Sequence, residues 1–364
     1  MSGEKAHRAR VVSSEEIHRR AVTAARARCE ALNEQLVSLA SQLEGAIPSI
    51  RSASVDDLGA LRSIEAELHQ TIRDAKAALS LQQSRARVEL VATRVDVGVV
   101  GQVALGIVGR SAASPDQEKL ARVLNRLSEI EKPAVLDDLT DRLARAAGLQ
   151  GSEQELALLE VGHEIATHVK QQRVRTRCQS DAEAELLKVA HVEGELAEAV
   201  RARARAVTDQ SALAALRAEV RDVLDEAERE ANAAFITRQA ALVMAELGYA
   251  VDEPFELIEQ HGDGFFARRV DLPDHALQVS IDATAGVLQT RVIAVSQTTA
   301  DDDVRAENAT CEDALALVQR LSGHGVESET IFHRAAGELP VAGAPKTASR
   351  RKKRARLKEM ELNT

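Results

Sequence analysis

The chain has 364 residues, of which 45% are hydrophobic, 29% charged and 2% aromatic, and its formal net charge is −10. These values are typical of a soluble folded protein with room for two or three domains. The longest apolar run, residues 97–109, is shorter than the roughly 20 residues of a membrane-spanning helix, which excludes a span there. Three widely separated cysteines show neither a CxxC pair nor zinc-ligand spacing, and we expect a reduced, cytoplasmic protein.

Aromatic residues divide the chain into two regions. Five phenylalanines and one tyrosine are present, and all lie between Phe235 and Phe332. Aromatic side chains dominate compact cores because each buries a large apolar area. The aromatic-free first region is therefore expected to form helices that pack along narrow aliphatic seams.

Residues 1–12 are polar and predict a flexible lead. Residues 13–150 predict a helical hairpin and short helices, since the capping pattern at Ser13–Glu16 begins a leucine stripe of heptad spacing and Ser54 opens a second helix. The glycine-rich residues 97–109 are expected to form a hinge or packed insert, with lipid contact as the alternative.

Residues 151–234 predict a long coiled-coil helix or a helical hairpin. The segment begins with a capping box at Ser152–Glu155 and contains no proline. If it is a hairpin, the turn is expected near residues 178–181. Such a polar helix needs partner helices, so a homo-oligomer is expected.

Residues 235–340 predict a compact α+β domain. A first helix ends at Gly248, short extended runs alternate with turn sequences, and an amphipathic helix follows Asp301–Asp303. The predicted fold class is mainly α: a long helical, coiled-coil N-terminal region, a small α+β domain with an antiparallel sheet, and a disordered basic tail over 341–364.

Two literal motif matches fail on geometry. His163 and His168 are five residues apart, whereas a zinc-binding helix presents histidines at i and i+4. Residues 262–267 match a dinucleotide fingerprint, but an extended run follows Gly264 where the fingerprint requires a helix. We therefore predict no metal and no cofactor.

Lysine and cysteine chemistry is not expected in the compact domain. No lysine occurs between Lys188 and Lys346, and Cys311 lies on the predicted helix, where a thiol is commonly a small buried apolar group. An acidic hydrolase or nuclease site is the alternative, and its candidate residues are Asp263, Asp271, Asp274 and His275. Turn formation explains most of these aspartates without catalysis.

The C-terminal segment is strongly basic. Residues 341–364 hold eight basic residues against two glutamates, a formal charge of +6 in a chain of net charge −10. The candidate nucleic-acid contacts are Lys346, Arg350, Arg351, Lys352, Lys353, Arg354, Arg356 and Lys358. Such a run binds phosphates with salt-sensitive affinity or docks on an acidic protein, and it also occurs as a solubilising terminus.

The sequence thus favours a non-enzymatic coiled-coil scaffold or adaptor of a cytoplasmic, bacterial-type multiprotein assembly. Its α+β domain is expected to bind a protein partner, and its tail nucleic acid or an acidic partner. The alternatives are a DNA-associated bridging protein that uses the tail, and a hydrolase or nuclease with the acidic site.

Overall fold

The computed structural model describes residues 4–43, 57–95, 115–251, 264–338 and 341–343. These ranges contain eight helices and seven strands. They form two compact units, one of Arg19–Leu224 and one of Met1–His18 together with Asp225–Thr364. The predicted class, mainly α with a small α+β region, is confirmed. The glycine-rich residues 97–109 and the basic tail residues lie outside the described ranges.

The helices are α1 Ser14–Ala40, α2 Leu58–Val95, α3 Pro115–Leu127, α4 Pro133–Ala147, α5 Gly151–Lys188, α6 Glu195–Ala204, α7 Gln210–Glu246 and α8 Ala300–Gly323. The strands are β1 Lys5–Val11, β2 Ala250–Val251, β3 Phe265–Arg268, β4 His275–Asp282, β5 Val287–Ala294, β6 Val326–His333 and β7 Ala342–Gly343. No helix within the described ranges has the length and apolar character needed to cross a bilayer.

Three separate apolar clusters hold the helical unit together. One joins α1 to α2, a second joins α2 to α3, α4 and α5, and a third joins α5 to α6 and α7. Their buried members are aliphatic residues with Cys29 and Cys178. The expectation of helices packed along aliphatic seams is therefore confirmed for this unit.

Residues 151–234 were predicted to form one long helix or a hairpin, but they belong to three helices, α5, α6 and α7. The predicted turn at residues 178–181 is wrong, because these residues continue α5 and Cys178 is fully buried. The helix α5 ends at Lys188, and beyond it the guanidinium of Arg201 donates to the carbonyl oxygens of Val189 and Val192. A second non-helical connection precedes α7, and there the Asp209 carboxylate accepts from the backbone N–H of Ala212. Side-chain caps satisfy the helix ends here without proline.

The predicted flexible lead is wrong for residues 5–11, which form the strand β1. This strand lies between β5 and β6 and pairs antiparallel with both. Lys5, His7 and Ala9 are buried on one face, while Arg8 and Arg10 are exposed on the other. Alternation of period two is the pattern of a strand with one buried face, but polar side chains at two buried positions concealed it.

The sheet has the order β2-β3-β4-β5-β1-β6, with all neighbours antiparallel, and β7 pairs parallel with β5. The apolar core of this unit combines residues of one sheet face with residues of α7 and α8. Gly325, at positive φ before β6, accepts hydrogen bonds at its carbonyl oxygen from the N–H groups of Val12 and Ser13. These bonds fix the chain where β1 turns into α1.

Candidate functional site

Each described residue of the predicted acidic site contacts a side chain from outside that set. The Asp271 carboxylate accepts two hydrogen bonds from Arg269, the Asp274 carboxylate accepts one from Ser296, and His275 contacts Asp303 at 2.9 Å. Asp263 lies outside the described residues. Nowhere in the described part of the chain do three His, Cys, Asp or Glu side chains group as metal ligands would.

Arg269 belongs to a structural network between the sheet and α8. The hydroxyl of Tyr249 donates to Asp313 at 2.6 Å, and the Arg269 guanidinium donates to the same carboxylate oxygen at 2.5 Å. Burial, followed by the Asp313 hydrogen bond, raises the pKa of Tyr249 above its ordinary value. The phenol therefore stays protonated at neutral pH, and the network ties α8 to the strand end.

A second group of polar side chains lies on the core face of the sheet, against α8. Lys5 is almost fully buried, and its Nζ donates to the carbonyl oxygen of Cys311 at 2.6 Å and lies 3.0 Å from the Cys311 Sγ. On the β6 side, the Nε2 of His333 lies 3.7 Å from the same sulfur. One thiol thus lies within contact distance of an ammonium and an imidazole.

His7 extends this polar group along β1. Its Nδ1 lies 3.0 Å from the hydroxyl of Thr330, and its Nε2 is buried without a partner. Burial, the charge of Lys5 and the charge of His333 lower the pKa of His7 to about 4. His7 is therefore neutral at physiological pH and adds no positive charge beside Lys5.

A small cavity of about 10 Å³ adjoins Lys5 and Cys311. Thr290 and Glu307 also line it, and each is at most 2% exposed. The Oγ1 of Thr290 and the Oε1 of Glu307 have no hydrogen-bond partner, whereas the other Glu307 oxygen accepts from the N–H of Gly337. A cavity of this size has room for about one water-sized group, and buried polar atoms normally find such a partner.

Two sequence-based expectations about this region are wrong. The α+β unit does contain a lysine, because β1 brings Lys5 from the N-terminus into the sheet. Cys311 is partly exposed and its sulfur contacts the Lys5 ammonium and the His333 imidazole, so it is not the small buried apolar group that was expected. The alternation of Lys5, His7, Ala9 and Val11 is the one local signal that predicts the strand, and pairing over about 300 residues decides its neighbours.

The far edge of the sheet is a second distinctive surface. Within the described ranges β6 pairs with β1 alone. All but two of its eight residues are exposed, including Ile331 at 48% and Phe332 at 42%. Unpaired backbone groups beside exposed apolar side chains form a template for a further strand.

The basic residues from Lys346 to Lys358 lie outside the described part of the chain, so their role stays a prediction. No protein-family model, curated protein or solved structure matches this chain.

Proposed function

We propose that this protein is a non-enzymatic scaffold or adaptor that engages a protein partner through the open edge of its sheet. The feature that carries the proposal is β6, a strand of eight residues with an unpaired edge among the described residues. Strand addition at such an edge gives affinity through backbone hydrogen bonds and specificity through alternate side chains. The helical unit, with its three clusters along long helices, supplies the spacing element.

The sequence of β6 defines the partner's chemistry. Glu327 is paired with Arg10 of β1 at 2.7 Å, so its charge is already matched. Glu329 is exposed, and Ile331 and Phe332 add apolar surface further along the strand. The occupant is therefore an extended segment of another protein, with a basic side chain near Glu329 and apolar side chains near Ile331 and Phe332.

Site-specific photo-crosslinking in the native cell tests this proposal. A photoreactive amino acid is placed at Ile331 in one version of the full chain and at Val270 in another. Val270 is 94% exposed and lies beyond β3, so it controls for nonspecific apolar contact. A discrete adduct with one other protein is expected from position 331 and not from position 270.

The captured partner is then purified and titrated against variants. Ile331→Lys is expected to weaken binding at least about tenfold, because a charge on an edge strand opposes pairing with another strand. Val270→Lys is expected to bind as the wild type does. Adducts that contain only two copies of this chain, or equal binding by both lysine variants, would refute the proposal.

The basic C-terminal segment supports a second candidate, a DNA-associated bridging protein. Eight lysines and arginines fall within residues 346–358, enough to neutralise several phosphates. Under this proposal, full-length protein retards duplex DNA at low salt, and the affinity falls steeply as salt is added. Removing residues 346–358 abolishes the shift. Absence of any shift at low salt excludes this candidate.

A further inference from the structure

The three cysteines of the chain have different environments. Cys29 and Cys178 are fully buried in the helical unit, and burial raises the pKa of Cys29. Cys311 is partly exposed on α8. Because oxidants and alkylating agents attack an accessible thiolate, the other two thiols serve as internal references for Cys311.

Side chains of three elements lie around the Cys311 sulfur. Lys5 of β1 approaches it to 3.0 Å, and His333 of β6 lies at 3.7 Å. Glu307, one turn earlier on α8, lines the same cavity and is the opposing negative charge. Arg334 also lines that cavity, and His7 stays neutral because its pKa is lowered to about 4. The Lys5 ammonium and the His333 imidazole are thus the side-chain groups in direct contact with the sulfur.

The cavity beside the sulfur has room and partners for one additional oxygen atom. Its volume is about 10 Å³, and the unpartnered Thr290 hydroxyl and Glu307 Oε1 line it together with Lys5. An oxygen bound to sulfur there has donors in the Lys5 ammonium and the Thr290 hydroxyl. A protonated oxygen on the sulfur has an acceptor in the free Glu307 oxygen.

We propose that Cys311 is a site of reversible oxidation by hydrogen peroxide, and that the cavity holds its sulfenic acid. The thiolate sulfur attacks one oxygen of peroxide, so an S–O bond forms as the O–O bond breaks. Sulfur loses two electrons, peroxide gains them, and the departing hydroxide takes a proton from solvent to leave as water. A small-molecule dithiol reverses the change through a mixed disulfide. This inference is independent of the scaffold proposal, because it concerns the α8 face of the sheet.

Peroxide treatment of the full-length protein, with dimedone as the sulfenic acid trap and peptide mass spectrometry as the readout, tests the proposal. Cys311 is expected to be trapped at least about tenfold faster than Cys29 and Cys178. The trapped fraction returns to the starting level when dithiothreitol is added before dimedone. The two buried cysteines also report folding, since unfolding would make them reactive.

Variants that remove a charge near Cys311 test whether the trapping rate changes in the expected direction. Lys5→Met removes the nearest positive charge and is expected to slow trapping about tenfold, whereas Glu307→Gln removes the negative charge and is expected to accelerate it about threefold. His333→Gln, at an exposed position, is expected to slow it if Lys5→Met does not fold. The proposal is overturned if Cys311 reacts no faster than the buried thiols, or if the folded charge variants all react at the wild-type rate.

Discussion

The two units of this protein are stabilised in different ways. The helical unit, Arg19–Leu224, buries small and branched aliphatic side chains in three clusters whose members recur at helical spacing. The α+β unit has one larger cluster that includes aromatic residues, and beside it buries Lys5, His7 and Glu307. Local periodicity specifies the first kind of packing, whereas pairing between distant segments specifies the second.

This difference determines where polar side chains are buried next to one another in the chain. The aliphatic seams contain few buried polar atoms. They therefore constrain the register between the packed helices and little else. In the α+β unit, β1 pairs with residues about 280 and 320 positions away and places an ammonium against a thiol. The polar cluster is thus a product of long-range pairing and has no counterpart in any continuous motif.

The largest expected effect comes from placing a charge on the buried face of β1. Ala9→Asp puts a carboxylate into the apolar core and is expected to destabilise the α+β unit by about 3–5 kcal/mol, because a buried charge without a partner is strongly unfavourable. Tyr249 is the only tyrosine and lies in this unit, so its fluorescence during urea unfolding measures the change.

Arg10→Asp is the matched control for this variant. Arg10 is the next residue of the same strand, but it is exposed and pairs with Glu327. Its replacement is expected to cost at most about 1 kcal/mol. Equal losses for the two variants would contradict the assignment of β1 as a central strand with one buried face.

An intermediate effect is expected from a cavity in the helical unit. Leu213 is fully buried in the cluster of α5, α6 and α7, and Leu213→Ala is expected to cost about 3 kcal/mol. Leu196→Ala is the control, since Leu196 is 62% exposed and its loss is expected to cost less than about 0.5 kcal/mol. Urea unfolding followed by far-ultraviolet circular dichroism measures both. A similar small loss for both would argue against the three-helix packing.

The smallest effect is a pH dependence of the α+β unit that His7 causes. Its pKa is lowered from the ordinary 6.5 to about 4, so the unfolded chain binds the proton more tightly than the folded one. The stabilisation is complete above about pH 6.5 and is lost progressively as the pH falls toward 4. Tyrosine fluorescence during urea unfolding at pH 7 and at pH 4 measures it.

His7→Gln removes the titrating group and keeps a polar side chain at this position. The variant is expected to lose less stability than the wild type between pH 7 and pH 4, and the difference isolates the His7 contribution from that of the carboxylates. Identical losses for wild type and variant would show that His7 is not held neutral by its surroundings.

Sequence periodicity predicted much of the helical architecture. Leu32 and Leu36 of the predicted leucine stripe are buried as expected. Side-chain caps such as Arg201 on the carbonyl groups after α5 were not predictable, because a long side chain that reaches back nine residues leaves no periodic signal. The extended runs after Gly264 and Pro273 are strands of an antiparallel sheet, as their turn residues predicted.

The candidate site was not predictable in the same way. The candidate residues proposed from sequence proximity, Asp271, Asp274 and His275, each pair with a different side chain from outside that set. The sequence predicts Cys311 only as a thiol on a helix. Its neighbours Lys5 and His333 lie on two different strands, so the spacing of residues along the chain carries no information about their distance from the sulfur.

The sequence by itself determined that the chain is mainly helical, that its aromatic residues concentrate in a later α+β region, and that its charge is acidic with a basic C-terminal segment. These properties depend on composition and on periods of a few residues. Tertiary structure alone decided that residues 5–11 form a strand inside the sheet and that Lys5 contacts Cys311. A strand acquires its neighbours by hydrogen bonding to segments anywhere in the chain, and this pairing sets which polar groups are buried together.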